Sequence, residues 1–391
     1  MHSFYASAVP SGENQAVLAQ EQALRKAGHQ VHLVAAHTDE LAVSRLYPIR
    51  TATRVTTGYG HSPLTQLADV RPDVVHVHNL FPNFGRSWVR RWKGAVVATL
   101  HNFRPLCAGG TLYRNGAVCT SCLDGDRWAG LRHGCYRGSR VASAPLAWSS
   151  RGGAAADPLL RRADRVVLLS ESSRQIYLRA GLRPERCALI PNFSPATGGS
   201  YPAQDSWPAD ADPARHSPVP MSRWVFAGRL TPEKGLLELL RIWPEHERLD
   251  VIGDGPLMKE CQRVAPQVRF LGPLDHGELI RRLPQWLGLV FPSRCLEGSP
   301  MIYPEALAAG VPILAFAGSS AAEAVRQQGT GLVATWDEPI SDVLAHAARV
   351  FPRLRGHCRD IFARLYTEQA WISQIERVYA QALAERPPVF G

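Results

Sequence analysis

The sequence predicts an α/β protein of two Rossmann-like parallel-sheet domains facing a central cleft, and three observations carry that expectation. At 391 residues the chain is long enough for two separate hydrophobic cores. Short apolar runs alternate with helix-like stretches through both halves, the order that builds parallel sheets through crossover helices. Between the halves, residues 194–222 hold Pro195, Pro202, Pro208, Pro213, Pro218 and Pro220 among Ala, Gly, Ser and Asp, with no apolar periodicity. That composition is a linker's.

The second half is the more regular. Apolar runs fall at Trp224–Ala227, Leu249–Ile252, Val268–Leu271, Leu287–Phe291, Pro312–Phe316 and Gly331–Ala334, with helical stretches between them. Right-handed crossovers then give one doubly wound sheet. In the first half the runs are Val31–Ala35, Val74–Val77, Val96–Leu100 and Val166–Leu169, and Gly12–Ala27 has a helical apolar face ended by Gly28. Only Met1–Pro10 precedes that helix, without an apolar run, so the first strand is expected to be missing: either the start lies upstream or the sheet lacks a strand. The expected division is residues 1–195 with an insertion at 104–150, a linker at 196–222, a second domain at 223–365, and a tail at 366–391 whose helix, Glu368–Ala384, packs back on the first domain.

Hydrophobic content of 45% and charged content of 20% are globular values and exclude wholesale disorder or a fibrous repeat. No run of ~18 apolar residues and no basic leader with an apolar core is present, so the expectation is a cytoplasmic enzyme. The net charge of +10 is unevenly spread: residues 1–200 hold 24 Lys and Arg against 12 Asp and Glu, which leaves −2 for the remainder. Such a basic half attracts an acidic or lipid-linked acceptor, an anionic leaflet at the inner membrane face or a nucleic acid, or is simply a soluble basic surface. Nucleic acid is the least expected of these partners. Trp88 and Trp92, four apart among Arg86, Arg90, Arg91 and Lys93, fit a membrane-surface helix or a sheet-covering helix with both indoles inward.

The strongest chemical signal is the segment from Leu296 to Pro312. Glu297 follows a strand and Glu305 lies in the next helix, about two turns in if that helix starts near Ser299, so both carboxylates face one ligand. The N–H groups of Ser299 and Met301 suit a phosphate or sugar oxygen, Gly298 allows close approach, and Pro300 fits a first helical turn. A second signal is Phe226–Gly235, where Gly228 turns the chain and Arg229 and Lys234 bring two cations able to stabilise a departing diphosphate without a metal.

On these residues the chain resembles glycosyltransferase family 4, whose E-x7-E motif is followed, as here, by an Ala-rich helix ending in Gly-Val-Pro. The resemblance implies a GT-B fold, a nucleotide-sugar donor (UDP-sugar favoured, GDP-sugar next) and retention at the anomeric carbon, with no catalytic cofactor. It places Glu297 on the transferred sugar, Glu305 on the ribose hydroxyls, and Arg229 and Lys234 on the diphosphate. Gly253 in Gly253-Asp254-Gly255-Pro256 would shape the nucleotide rim, and the backbone at Leu271 would reach the base. Gly12, in Pro10-Ser11-Gly12-Glu13-Asn14, would lie over the donor phosphates or the acceptor, with helix capping by Ser11 as the competing reading. His101, at the end of the strand Val96–Leu100, matches the family's strand-end histidine near sugar and acceptor.

Cys107, Cys119, Cys122 and Cys135 form C-x11-C-x2-C-x12-C within the insertion. A structural zinc site, two disulfides, or four reduced thiols all fit this spacing. The rival functions are a GT-B epimerase or phosphorylase, which needs no acceptor groove, and a non-catalytic protein that binds anionic lipid or nucleic acid.

Overall fold

The computed structural model describes residues 1–7, 11–195 and 222–389. Pro10 of the first glycine loop and the expected linker, Ser222 apart, lie outside the described residues.

The N-terminal domain contains β1 (His2–Phe4) and β2 (Ala35–His37), which form a two-stranded sheet, then β3 (Val74–Val77) and β4 (Ala95–Leu100); the insertion adds a hairpin of β5 (Tyr113–Arg114) and β6 (Ala117–Val118), and β7 (Arg165–Leu168) and β8 (Cys187–Leu189) complete a four-stranded sheet with β3 and β4. The strands β3, β4, β7 and β8 pair in that order, all parallel. The first strand expected to be missing is present: β1 pairs in parallel with β2 and bridges from His2 to Asn79, just beyond β3. It was invisible as an apolar run because two of its three residues, His2 and Ser3, are polar and yet fully buried. The helix Gly12–Lys26 follows, with the Ser11 hydroxyl accepting from the Asn14 N–H at 3.3 Å, an acidic residue in its first turn and two basic ones in its last.

The second domain holds β9 (Arg223–Ala227), β10 (Arg248–Ile252), β11 (Arg269–Gly272), β12 (Gly288–Phe291), β13 (Ile313–Phe316) and β14 (Gly331–Ala334). They pair in parallel in the spatial order β11-β10-β9-β12-β13-β14, so the chain runs outward one way from β9 and then returns to run the other way from β12. One buried carboxylate sits inside this sheet. Asp250 accepts from Arg223 at 2.9 Å, from both Arg269 nitrogens and from the Trp286 indole at 2.8 Å, which satisfies both its oxygens.

Two C-terminal helices complete the fold, and the second of them ties the halves together. The long helix Ile340–Leu365 packs Leu344, Ala347 and Phe351 on one side of the second sheet, and Cys358, Ile361 and Phe362 extend the packing to its other side. The helix Glu368–Glu385 then crosses to the first domain, where Trp371, Ile375, Val378 and Ala382 pack with Val97, Val167 and Ile190. Trp88 and Trp92 are 1% and 6% exposed and belong to the first core, so the indoles point inward and the membrane-surface helix is not formed there. Among the described residues no helix is long and apolar enough to cross a membrane.

Candidate functional site

In an open parallel sheet a ligand crevice opens where neighbouring strands send their chains in opposite directions. Here that point lies between β9 and β12. The loop after β9 carries Arg229 and Lys234, and the loop after β12 carries Glu297, so the strand order alone brings the cationic and acidic motifs together. Lys234 Nζ donates to Glu297 Oε2 at 2.5 Å, and Ser293 Oγ donates to Glu297 Oε1 at 2.7 Å. Both members of the ion pair are shielded, with side chains 19% and 14% exposed. Two glycines hold the loops this close. A Cβ on Gly235 (φ +71°) would lie 2.0 Å from the Pro292 carbonyl oxygen, and one on Gly253 (φ +127°) 2.0 Å from that of Gly228.

The remaining donor-side residues line the same edge. Gly228 N–H donates to the Ile252 carbonyl and Gly253 N–H to the Gly272 carbonyl, which sets the ends of β9, β10 and β11 side by side next to Leu271. Arg229 is half-exposed and pairs loosely with Glu233 at 3.7 Å. The helix that carries Glu305 starts at Ile302 rather than Ser299, so Glu305 stands in its first turn and not two turns in. Gly298, Ser299 and Pro300 instead form the loop leading into it. Glu305 is buried and meets His276 at 2.9 Å, a contact that raises the histidine's pKa, with the neighbouring charge adding to it. His276 gave no signal in the sequence, because an isolated histidine at the start of a helix has no motif around it.

The first domain closes over this loop. Asn192 donates its backbone N–H to Ser299 Oγ at 3.2 Å and its side-chain amide to the Ser299 carbonyl at 3.1 Å. A Cβ on Gly298 would stand 3.0 Å from the His101 carbonyl oxygen, and one on Gly12 3.8 Å from Met301 Cγ. His101 and Gly12 therefore flank the donor loop from the opposite domain.

Behind His101 lies a chain of partly buried imidazoles. His101 Nε2 and His78 Nδ1 share a hydrogen bond of 3.2 Å, the His78 ring lies 4.2 Å from that of His76, and His76 bridges Tyr379 and Thr99 at 2.8 and 2.7 Å. Burial drives all of them toward the neutral form: His101 falls to about 3, His2 to about 4, and His76 and His78 well below the ordinary value. His101 thus meets the cleft as a neutral hydrogen-bonding ring.

Glu13 is a site residue that motif reading passes over, because it reads there as a helix-start residue beside Gly12. Its Oε2 accepts from Asn102 Nδ2 at 3.2 Å, while Oε1 is buried without a partner. Burial lifts its pKa to about 7 against the opposing pull of Asn102, Arg104 and Asn79.

The four insertion thiols are free, and none is in a disulfide. Burial, reinforced by the neighbouring thiols, pushes Cys122 up to about 11. Among the described residues no three His, Cys, Asp or Glu side chains are disposed to hold a metal ion, so Cys107, Cys119, Cys122 and Cys135 do not form a ready ligand set.

The comparisons with known proteins agree with this geometry. Residues 10–194 match the model described as Glycosyltransferase Family 4, and residues 222–350 the model described as Glycosyl transferases group 1. The chain is 30% identical over 240 residues, 56% of its length, to an exopolysaccharide phosphotransferase of Streptomyces coelicolor, and it spans 22% of that relative. Among solved structures it is similar to a sucrose-phosphate synthase from Thermosynechococcus elongatus (TM-score 0.65, 18% identity, 98% of this chain and 96% of that one). It is similar also to Anabaena HepE in complex with UDP and glucose (TM-score 0.59, 15% identity, 97% and 98%). These likenesses show the shared two-domain fold. With both halves matched by glycosyltransferase models and both sheets wound in the GT-B manner, the chain belongs to glycosyltransferase family 4.

Proposed function

We propose that this glycosyltransferase takes a UDP-sugar, with a GDP-sugar as the second choice, and transfers the sugar with retention to a hydroxyl of a glycan, a lipid-linked saccharide or a natural product. The observation that carries the reading is the Lys234–Glu297 pair at the reversal point between β9 and β12. As the glycosidic bond breaks, negative charge grows on the diphosphate; Lys234 turns from Glu297 to meet it and Arg229 swings in from its exposed position. Glu297, released, accepts from the sugar hydroxyls. Glu305, kept oriented by His276, accepts from the ribose. On the opposite wall His101, being neutral, orients the sugar or the incoming hydroxyl but carries no proton to spare. The leaving diphosphate takes the acceptor's proton on the face where attack occurs, so the reaction uses no enzymic nucleophile.

Support for UDP comes from the likeness to a protein solved with UDP and glucose. The test is a thermal-shift titration with UDP, GDP, ADP and TDP. A stabilisation specific to UDP is expected; one specific to GDP moves the donor to a GDP-sugar, and no shift with any diphosphate ends the reading. A structural zinc on Cys107, Cys119, Cys122 and Cys135 is a separate proposal, which requires the insertion to close around the ion. Metal analysis of the purified chain decides it: one zinc per chain supports the site and none removes it.

A further inference from the structure

Beyond the donor site, the first domain holds positive charge that its own side chains do not neutralise. A half-open cavity is walled by His78, His101 and Asn102 and by three guanidinium groups, those of Arg54, Arg86 and Arg104. Arg86 is engaged, since it donates to Asp157 at 3.0 Å and also to the Val55 carbonyl and the Ser149 hydroxyl. The other two are not. Arg54 donates to the Pro82 carbonyl at 2.8 Å and Arg104 to the Ala108 carbonyl at 3.3 Å, but the Nε of each is buried without a partner. Among the described residues neither forms an ion pair.

The Arg104 guanidinium stands 4.2 Å from the centre of the Phe81 ring and 5.6 Å from that of Tyr136, which fixes the plane of its fork. Glu13 is the carboxylate whose field reaches Arg104, and its own burial keeps it largely protonated up to neutral pH, so it supplies less than a full counter-charge. Through Arg86 and Ser149, which line both spaces, the cavity adjoins a second groove whose wall includes Arg90, Arg127 and Arg151. A partly buried guanidinium without a counter-ion has unmet charge and an unmet donor, and here two of them face one cavity beside the residue that flanks the donor loop.

We propose that this cavity binds a phosphate or diphosphate group carried by the acceptor, gripped by Arg54 and Arg104, which sets the attacked hydroxyl toward His101. The proposal rests on the glycosyltransferase reading above for the word acceptor, but the anion site itself does not depend on it. A neutral saccharide leaves both cations unpaired, whereas the oxygens of a diphosphate meet two forked donors with charge and shape together. The group arrives either on a lipid headgroup or on a soluble phosphorylated sugar.

The test is calorimetric binding of inorganic pyrophosphate to the full chain already saturated with UDP, so that the donor diphosphate position is filled. Pyrophosphate is expected to bind, Arg54→Ala with Arg104→Ala to weaken it at least ~10-fold, and UDP affinity to stay within about twofold. Arg54→Lys with Arg104→Lys keeps the charge without the fork and should weaken it only a few-fold, which separates loss of the grip from loss of the fold. No pyrophosphate binding to the wild-type chain, or equal binding to the double alanine variant, overturns the proposal. If UDP fails to bind while pyrophosphate still binds through the two arginines, the donor reading falls and the anion site stands. Co-sedimentation with phosphatidic acid vesicles, lost in the double alanine variant, assigns the phosphate to a lipid headgroup; pyrophosphate binding without sedimentation assigns it to a soluble acceptor.

Discussion

The two walls of the crevice handle charge in opposite ways. On the donor side the charged residues assigned to the donor are already paired: Lys234 with Glu297, Arg229 with Glu233, Glu305 with His276. On the acceptor side Arg54 and Arg104 form no ion pair among the described residues, Glu13 has an oxygen without a hydrogen bond, and the imidazoles behind His101 are held neutral. A self-paired wall keeps its empty form inexpensive, and its ligand must displace internal ion pairs.

The largest expected effect of this difference is acid lability located in the first domain. His2 and His101 have folded pKa values of about 4 and about 3, below the unfolded value near 6.5, and His76 and His78 are shifted in the same direction. Their contribution is complete above pH 6.5 and is lost as pH falls, because the unfolded chain takes up protons that the fold refuses. Each such group removes up to ~1.4 kcal/mol of stability per pH unit in that window. Urea midpoints measured at pH 7.5, 6 and 5 should therefore drop steeply. A flat profile would mean that the imidazoles titrate freely and the contrast between the walls is mistaken. His276 has the opposite sign, its pKa being raised, and its replacement by Ala should not relieve the loss.

Next in size is the donor wall's own pair. Lys234→Ala is expected to lower the rate of UDP-sugar turnover, read as released UDP, by ~10²–10³-fold, as when one charge-stabilising group is taken from a transition state. The same change leaves Glu297 without its cation in a shielded pocket. If turnover survives within a few-fold, the self-paired motif is structural and the donor lies elsewhere.

The two walls were not equally legible in the sequence. The second domain announces itself because its central strands β9, β10, β12 and β13 are short apolar runs buried on both faces, and Arg229, Lys234 and Glu297 follow β9 and β12 within a few residues. The first strand escaped because its burial is polar, through His2 and Ser3. The start of the Glu305 helix was misplaced by three residues because Ser299 and Pro300 are good helix-start residues locally, whereas the contact of Ser299 with Asn192 holds that stretch out as a loop. No local pattern reports such a contact between domains. Glu13, Arg54 and Arg104 were unreadable for a related reason: they come from three separate segments and become a cluster only through the fold.

Glu13 offers a sharper comparison with a smaller effect. Its folded pKa of about 7 exceeds the unfolded value near 4.5, so its contribution is fully present below pH 4.5 and is lost as pH rises through 7. The ionised form costs up to ~3 kcal/mol at pH 8 relative to acid. Glu13→Gln keeps the shape and an oxygen for Asn102 but cannot ionise. Its urea midpoint should exceed the wild type's at pH 8 and equal it near pH 4.5; a variant less stable at pH 8 would show that the carboxylate finds a counter-charge after all.

The smallest effect belongs to the pair that looks most ordinary. Arg229 is half-exposed and its contact with Glu233 is long, so Glu233→Gln should change stability by no more than ~0.5 kcal/mol, the range of exposed ion pairs. Its consequence for binding runs the other way. Glu233 competes with the diphosphate for Arg229, and with that competitor neutralised UDP should bind equally or slightly more tightly in a titration of the variant. Weaker binding would mean that Glu233 positions Arg229 for the phosphate instead of restraining it, and the donor wall would then be preorganised rather than merely self-neutralised.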